Sequence, residues 1–407
     1  MADWAACAVA GTATDPGRRL LAYAAGPRSL ESDVFLAAAL SHITETDDLH
    51  RGSVTHPGCA VIPVALLLGR ATGASGRQAL RAVLVGYEAM LRVGEALGPA
   101  HYRIFHNTAT AGPFGSAAAA AVLLDLDEDQ WVWAFGNAGT QAAGLWEFNA
   151  DAAMSKHLHA GHAAQAGLKA GLLAREGFTG AERILEGEKG FFRALCPDPR
   201  PERVLGPSDG WKLPETSIKP YPSCRHTHPA IDAALDLRSK LGAEGCDGIT
   251  DLGIESYPAA LALTDNATPG STYAAKFSIQ FCVAATLVHG RPGLGAFEGD
   301  RLRDRRVRKL LERVTVGIGA DLADAYPARW GARIRARVDG GAVVAERASA
   351  RGDPEEPLTD AELAVKRDDL LAYAGWGEER RARLVKAIGG LPSGGPVPDF
   401  VADLAGD

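Results

Sequence analysis

The residue types with the most chemistry to offer fall in four clusters. The first is Glu45 to Pro57, ETDDLHRGSVTHP, which gathers Glu45, Asp47, Asp48, His50, Arg51 and His56 in a stretch too rich in Gly and Ser for an ordinary helix. The residues behind it, CAVIPVALLLGRAT, read as a helix leading away. The loop therefore meets a helix N-terminus, where backbone N–H groups and the helix dipole favour an anion. The second cluster is HYRIFHNTATAGPFG, His101 to Gly115, in which His106 precedes a Thr/Ala/Gly stretch that opens a helix. Thr108, Thr110 and nearby amides can bind a carboxylate there. The third is KHLHAGH, Lys156 to His162. His159 and His162 have i,i+3 spacing but no third-ligand motif, and an ammonium beside them opposes metal binding, so Lys156 reads as an anion binder. The fourth is KPYPSCRHTHP, Lys219 to Pro229. Two prolines predict an extended backbone, with Lys219, Tyr221, Ser223 and Arg225 facing one way and Cys224, His226 and His228 the other. Cys224 and His226, two residues apart, do not make a catalytic dyad.

Each cluster alone also has a plainer reading, as a solvated loop, a capped helix start or a set of core contacts. Together they supply Arg51, Arg103, Lys156, Lys219, Arg225 and several histidines, with few carboxylates outside the first loop and no phosphate loop. That set suits a small di- or tricarboxylate, since each charge-assisted hydrogen bond contributes about 1.5–3 kcal/mol. A histidine near its intrinsic pKa can move a proton next to a carboxylate, a role worth roughly 10²–10⁴ in rate.

The chain around the clusters has 407 residues and 46% hydrophobic content, enough for two domains. Its net charge of -7 is spread without a basic block, which argues against nucleic acid as the main partner. No apolar run reaches the roughly 18–20 residues that span a bilayer. Six scattered cysteines without a C-x-x-C pair, and an N-terminus, MADWAACAVAG, lacking a basic n-region, predict reduced thiols and a cytoplasmic location. The same spacing offers no iron–sulfur or structural zinc run. Thr12 to Arg28 reads as a connector and Ser32 to His42 as a helix with Ser32 as N-cap. From Gly58 to Leu185 the spacing is helical, with helices over Cys59–Thr72, Arg77–Leu97, Ala111–Leu124, Asp127–Leu145, Leu158–Glu176 and Ala181–Leu185. Strand patterns follow at Ile249–Ser256, Val314–Gly319, Arg333–Val338 and Ala342–Arg347, the last two around a DGG turn. Thr359 caps a late helix with Glu362 at capping-box spacing. The expected fold is mainly α: a helical domain over 1–196, an α+β domain over 207–350, and C-terminal helices over 351–407 that return to the first.

The motifs DDLHRGSVTHPG, GYEAMLRVGEAL, FHNTATAGPFGSAAAAA, SKHLHAGHAAQAGLKAGLLAREGFTG, IKPYPSCRHTHPAIDA, AAKFSIQFCVAATLVHG and RGDPEEPLTDAELAVK span nearly the whole chain. In kind and order they resemble the MmgE/PrpD family, which includes 2-methylcitrate dehydratase, cis-aconitate decarboxylase and iminodisuccinate epimerase. The resemblance implies a large all-helical domain, a smaller α+β domain, an active site in the cleft between them, a homodimer, and no metal or organic cofactor. It makes His56, His106, Lys156 and Lys219 the expected catalytic residues, with His106 first choice for acid or base and His56 its partner. Asp48, His50, Arg51, Thr108, His159, Cys224, Arg225, His226 and Tyr273 are the expected substrate-binding residues, Asp48 orienting His50 or Arg51 while Asp47 organises the loop. Glu45 and Leu49 stand where the decarboxylase pattern has Asp and Thr, and Cys224 stands where it has histidine. The expected reaction is therefore a 2-methylcitrate dehydratase-like dehydration through α-proton abstraction. Decarboxylation or epimerisation of a related polycarboxylate is the alternative, and a non-catalytic binding homologue is the alternative of another class.

Overall fold

Alanine and glycine decide how the helical part packs. In the computed structural model, which describes residues 1–207, 210–400 and 404, the chain divides into two units. One comprises Met1–Thr216 with Leu363–Asp407, the other Ser217–Glu362. Residues 208–209, in the stretch expected to open the α+β domain, and residues 401–403 and 405–407, at the end of the expected C-terminal segment, lie outside the described residues.

The first unit is a helical assembly. Its elements are α1 (Ala2–Thr12), α2 (Asp15–Tyr23), α3 (Leu30–His42), α4 (Pro57–Ala71), α5 (Gly76–Ala96), the short α6 (Pro99–Tyr102), α7 (Asn107–Leu123), α8 (Glu128–Gly139) and α9 (Ser155–Arg175). At the centre is α7, buried from Asn107 to Ala121 and packed against α4, α5, α8 and α9. Small side chains let backbones approach. A Cβ on Gly86 of α5 would come 2.8 Å from the carbonyl oxygen of Gly115 on α7, and one on Gly115 would come 2.8 Å from that of Gly86. Inserting a methyl there would force the helices apart. The alanine-rich run from Ala117 is thus a buried helix in tight contact, as its composition predicts.

Three local expectations are corrected. The cap of α3 is Ser29, whose hydroxyl accepts from the Ser32 N–H at 3.2 Å while Ser32 closes the capping box from N3. The supposed connector contains α2, capped by Thr14, with Pro16 in its first turn. Residues 181–185 form turns, not a helix. The six residues between Gly180 and Gly187 are too few to repay helix nucleation.

The second unit is α+β. Its four-stranded sheet has the order β2-β1-β3-β4, with β1 (Asp251–Ser256), β2 (Val314–Ile318), β3 (Ala332–Val338) and β4 (Gly341–Arg347). β1 runs parallel to β2, with Leu252 opposite Val314, and antiparallel to β3, with Ile254 opposite Ile334. β3 and β4 form the hairpin expected at DGG, where Gly340 and Gly341 take φ of 108° and 128°. Leu252, Ile254, Ala332, Ile334 and Ala336 point into one core with the helices His228–Gly245 and Ile279–His289. The expected capping box is present: the Thr359 N–H donates to Glu362 at 2.9 Å and the Glu362 N–H to the Thr359 hydroxyl at 3.3 Å. Among the described residues no helix is long and apolar enough to cross a membrane.

Candidate active site

The Glu45–Pro57 loop joins the C-terminus of α3 to the N-terminus of α4, and its own hydrogen bonds fix its course. His50 and Thr55 exchange backbone bonds of 2.9 and 3.3 Å, closing a tight hairpin. Glu45 and Val54 hold left-handed backbone at φ 59° and 50°, a conformation that disfavours side chains and β-branched ones most. Asp48 is the anchor. One carboxylate oxygen accepts the Gly58 N–H at 3.0 Å, the other accepts the Tyr87 hydroxyl at 2.7 Å, and its carbonyl accepts Nδ1 of His56 at 2.7 Å. Glycine is required at 58, where a Cβ would lie 2.6 Å from Asp48 Oδ1. Burial, only partly offset by the Tyr87 bond, pushes the Asp48 carboxyl up to about 7. Its partners are Tyr87, Gly58 and His56, not the His50 or Arg51 named from sequence.

His56 is the residue preceding α4, His106 the residue preceding α7, and Lys156 lies in the first turn of α9 with His159 one turn later. The His56 N–H donates to the Thr108 hydroxyl at 3.0 Å, tying the starts of α4 and α7 together. Ring centroids of His56 and His106 are 6.3 Å apart, and those of His106 and His159 are 5.5 Å apart, with the two Nδ1 atoms at 3.3 Å. Three helix N-termini, each with a positive dipole end, thus converge on one group of imidazoles. Trp146 and Phe148 wall it, their ring centroids 5.0 and 6.3 Å from that of His106.

His42, the last residue of α3, completes the group. Its Nδ1 donates to Asp47 at 2.6 Å, and Nδ1 of His56 lies 3.1 Å from the same carboxylate oxygen. The His42 ring is 4.7 Å from His56 and stacks on His106 at 5.7 Å. The sequence marks His42 only as a helix end. The available signal was the i,i+5 pair of His42 and Asp47, which meets only once the chain turns at the helix end. Lys156 pairs with Glu45, both buried. Lys366 is likewise buried and holds the loop by donating to the Thr46 carbonyl at 2.7 Å and pairing with Asp3 at 2.6 Å.

Electrostatics follow from burial and neighbours. Burial would raise the Asp47 carboxyl, but the His42 and His56 imidazoles outweigh it and hold it well below the usual carboxylate range. Burial first, then the Lys156 ammonium, drives His106 well below the ordinary histidine range. Burial also lowers His159, to about 4, with His42 and Lys156 adding to it. Rings held neutral in this way keep a lone pair for accepting a proton.

The other expected residues stand as follows. His50 lies outside the imidazole group. Its Nδ1 accepts the Ser53 N–H at 3.2 Å, so its Nε2 donates, to Glu215 at 3.3 Å. Thr108 spends its hydroxyl on the His56 amide. Arg51 is half-buried in the same hairpin.

In the second unit, the stretch after Lys219 is not extended, which corrects the alternating facing expected from its prolines. It turns through 220–224, and Arg225–Thr227 form a 3₁₀ turn leading into the helix at His228. Arg225 is buried against Asp353 and donates to Nδ1 of His228 at 2.8 Å. His226 accepts or donates at 2.7 Å to the Tyr257 hydroxyl and stacks on Trp330 with centroids 4.4 Å apart. Lys219 and Cys224 are buried, and Tyr273 stacks on Phe277 at 4.7 Å.

Comparison with known proteins gives the following. The family profile of the MmgE/PrpD N-terminal domain matches residues 1–204, and that of the C-terminal domain matches residues 221–388. A cis-aconitate decarboxylase-like protein of Aspergillus oryzae is 25% identical over 93% of this chain and 83% of its own length. The cis-aconitate decarboxylase of Aspergillus terreus is 26% identical over 81% and 72%. That of Mus musculus is 28% identical over 69% and 59%.

Proposed function

The chain belongs to the MmgE/PrpD family, and on that premise we propose that it is a lyase acting on a small di- or tricarboxylate by proton transfer at the carbon next to a carboxylate. The observation that carries this reading is the convergence of His42, His56, His106 and His159 with Lys156 at three helix N-termini. Catalysis needs such groups within reach of one substrate, whereas a binding homologue has no use for several imidazoles backed by one carboxylate.

The favoured reaction is dehydration. His106 takes the proton alpha to a carboxylate, and the electron pair forms a carbon–carbon double bond as the β-hydroxyl leaves. His56 delivers the proton that turns the hydroxyl into water. Lys156 and the positive ends of the three helix dipoles stabilise the charge that develops on the carboxylate. Decarboxylation is the second reading, favoured by the relatives, two of which are named cis-aconitate decarboxylases and one cis-aconitate decarboxylase-like. Family membership also supports a homodimer, which light scattering reads directly.

The deciding experiment is a turnover screen against methylcitrate, citrate, cis-aconitate and related acids, with products read by mass spectrometry. Loss of water supports dehydration. Loss of carbon dioxide supports the second reading. Solvent deuterium incorporation without either loss replaces both with epimerisation, and no turnover on any acid overturns the lyase reading.

A further inference from the structure

Asp47 does more than hold two rings. Its carboxylate takes Nδ1 of His42, and Nδ1 of His56 sits between Asp47 and the Asp48 carbonyl. All of these partners accept, so each ring donates from Nδ1, and Nε2 is the nitrogen that would meet a ligand. Nε2 of His42 is fully buried and meets no hydrogen-bond partner among the described residues. One ligand nitrogen from each of His42, His56 and His106 falls in a set whose members are all within 4.8 Å of one another. Imidazoles whose second nitrogen donates to a carboxylate or carbonyl are how proteins present metal ligands. Zinc with nitrogens at roughly 2.0–2.1 Å spaces them about 3.3 Å apart, which modest ring rotations reach from here.

The objection raised by sequence was the Lys156 ammonium. In the structure that ammonium is paired with Glu45, and Asp47 adds a second carboxylate, so the three charges sum to -1. A divalent cation is therefore electrostatically acceptable. Among the described residues, the group of His42, Asp47 and Cys59 shares His42 with this one, and the group of His50 with Glu95 and Glu215 is different. There the Lys212 ammonium already lies 3.0 Å from Glu95 and 3.7 Å from Glu215.

We propose that His42, His56 and His106 form a binding site for one divalent first-row metal ion, zinc above all, and that the bound ion inhibits the enzyme. Coordination occupies the lone pair with which His106 takes the proton and the His56 nitrogen that would otherwise carry the proton it delivers. The inhibition rests on the lyase reading; the binding does not.

The test is equilibrium dialysis of the full chain, freed of metal by chelator, against Zn²⁺ and against Co²⁺. Metal content is measured elementally and Co²⁺ coordination by visible absorption. The expected result is one equivalent per chain, with four-coordinate Co²⁺ absorption. His42→Ala and His106→Asn should lose it, and Asp47→Asn should weaken it about 10–100-fold. Far-UV circular dichroism checks each variant, and the wild-type stoichiometry decides even where a variant fails to fold. No stoichiometric binding, or binding unchanged in folded His42→Ala and His106→Asn, overturns the site. Turnover in the wild type should fall on zinc addition and return with chelator. Zinc bound with turnover unchanged overturns the inhibition while leaving the lyase reading intact. Metal-free protein inactive on every acid, yet binding zinc at one equivalent, overturns the lyase reading and upholds the site.

Discussion

Nδ1 of His42 lies 2.6 Å from the carboxylate of Asp47, with both side chains buried and the same carboxylate 3.1 Å from Nδ1 of His56. One acid thus sets the tautomer of two rings. Both rings meet the same oxygen, so an asparagine in its place would keep the shape but remove the negative charge that both rings face. Asp47→Asn is expected to lower kcat about 100-fold or more with near-UV circular dichroism unchanged. A kcat within about threefold of wild type would remove Asp47 from the catalytic arrangement.

His106 precedes a helix buried from Asn107 to Ala121 and touches His42, His56, His159, Trp146 and Phe148. His106→Ala should cut turnover at least ~100-fold on the substrate that the screen identifies. The fold should survive, because α7 is held by α4, α5, α8 and α9 along its whole length. Comparable turnover in the variant would hand the acid–base role to His56 or His159.

The ion pair of Lys156 and Glu45 is buried on both sides. Removing one partner leaves the other charge inside without its counter-ion, which typically costs about 3–5 kcal/mol. Lys156→Met and Glu45→Gln should each shift the urea midpoint strongly downward. The double variant should lose less than the sum, giving a coupling energy well above the roughly 0.5 kcal/mol of independent sites. Simple additivity would mean that the pair contributes nothing as a pair.

His226 in the second unit is held neutral. Burial, followed by the charges of Lys219 and Arg225, drives it from the usual 6.5 to about 3. Because the folded value is depressed, the unfolded chain binds the extra proton, and stability falls as pH drops from about 6.5 toward about 3. The loss between about pH 7 and about pH 4 is on the order of 3 kcal/mol for this ring alone. His226→Gln should make the acid side of a stability–pH curve measurably shallower, and an unchanged slope would show that other groups carry it.

Much of the architecture is legible in local pattern. Helical spacing from Cys59 onward, the DGG hairpin and the Thr359–Glu362 box all depend on neighbours a few residues apart, and such short-range preferences are written in residue order. So are His56 and His106, since a histidine just before a helix announces its own place. Misreadings arise where tertiary packing overrides a short signal. The backbone of Ala181 lies against Gly136 of α8, and the residues after it turn instead of coiling. The prolines at 220 and 222 sit in a bent stretch in which Tyr221 donates to Asp232 at 2.6 Å.

The residue types at the candidate site, its histidines, its lysine and its loop carboxylates, are determined by the sequence alone. Which of them meet is decided only by the tertiary structure. His42 and Asp47 are five residues apart, Glu45 and Lys156 are 111 apart, and Thr46 and Lys366 are 320 apart. Contacts of that separation form only when buried helices have packed. The loop that carries Glu45, Thr46 and Asp47 is held by the anchor that Asp48 provides against Tyr87. A buried charge must find a partner wherever the fold has brought one within reach, and no spacing rule along the chain encodes that distance.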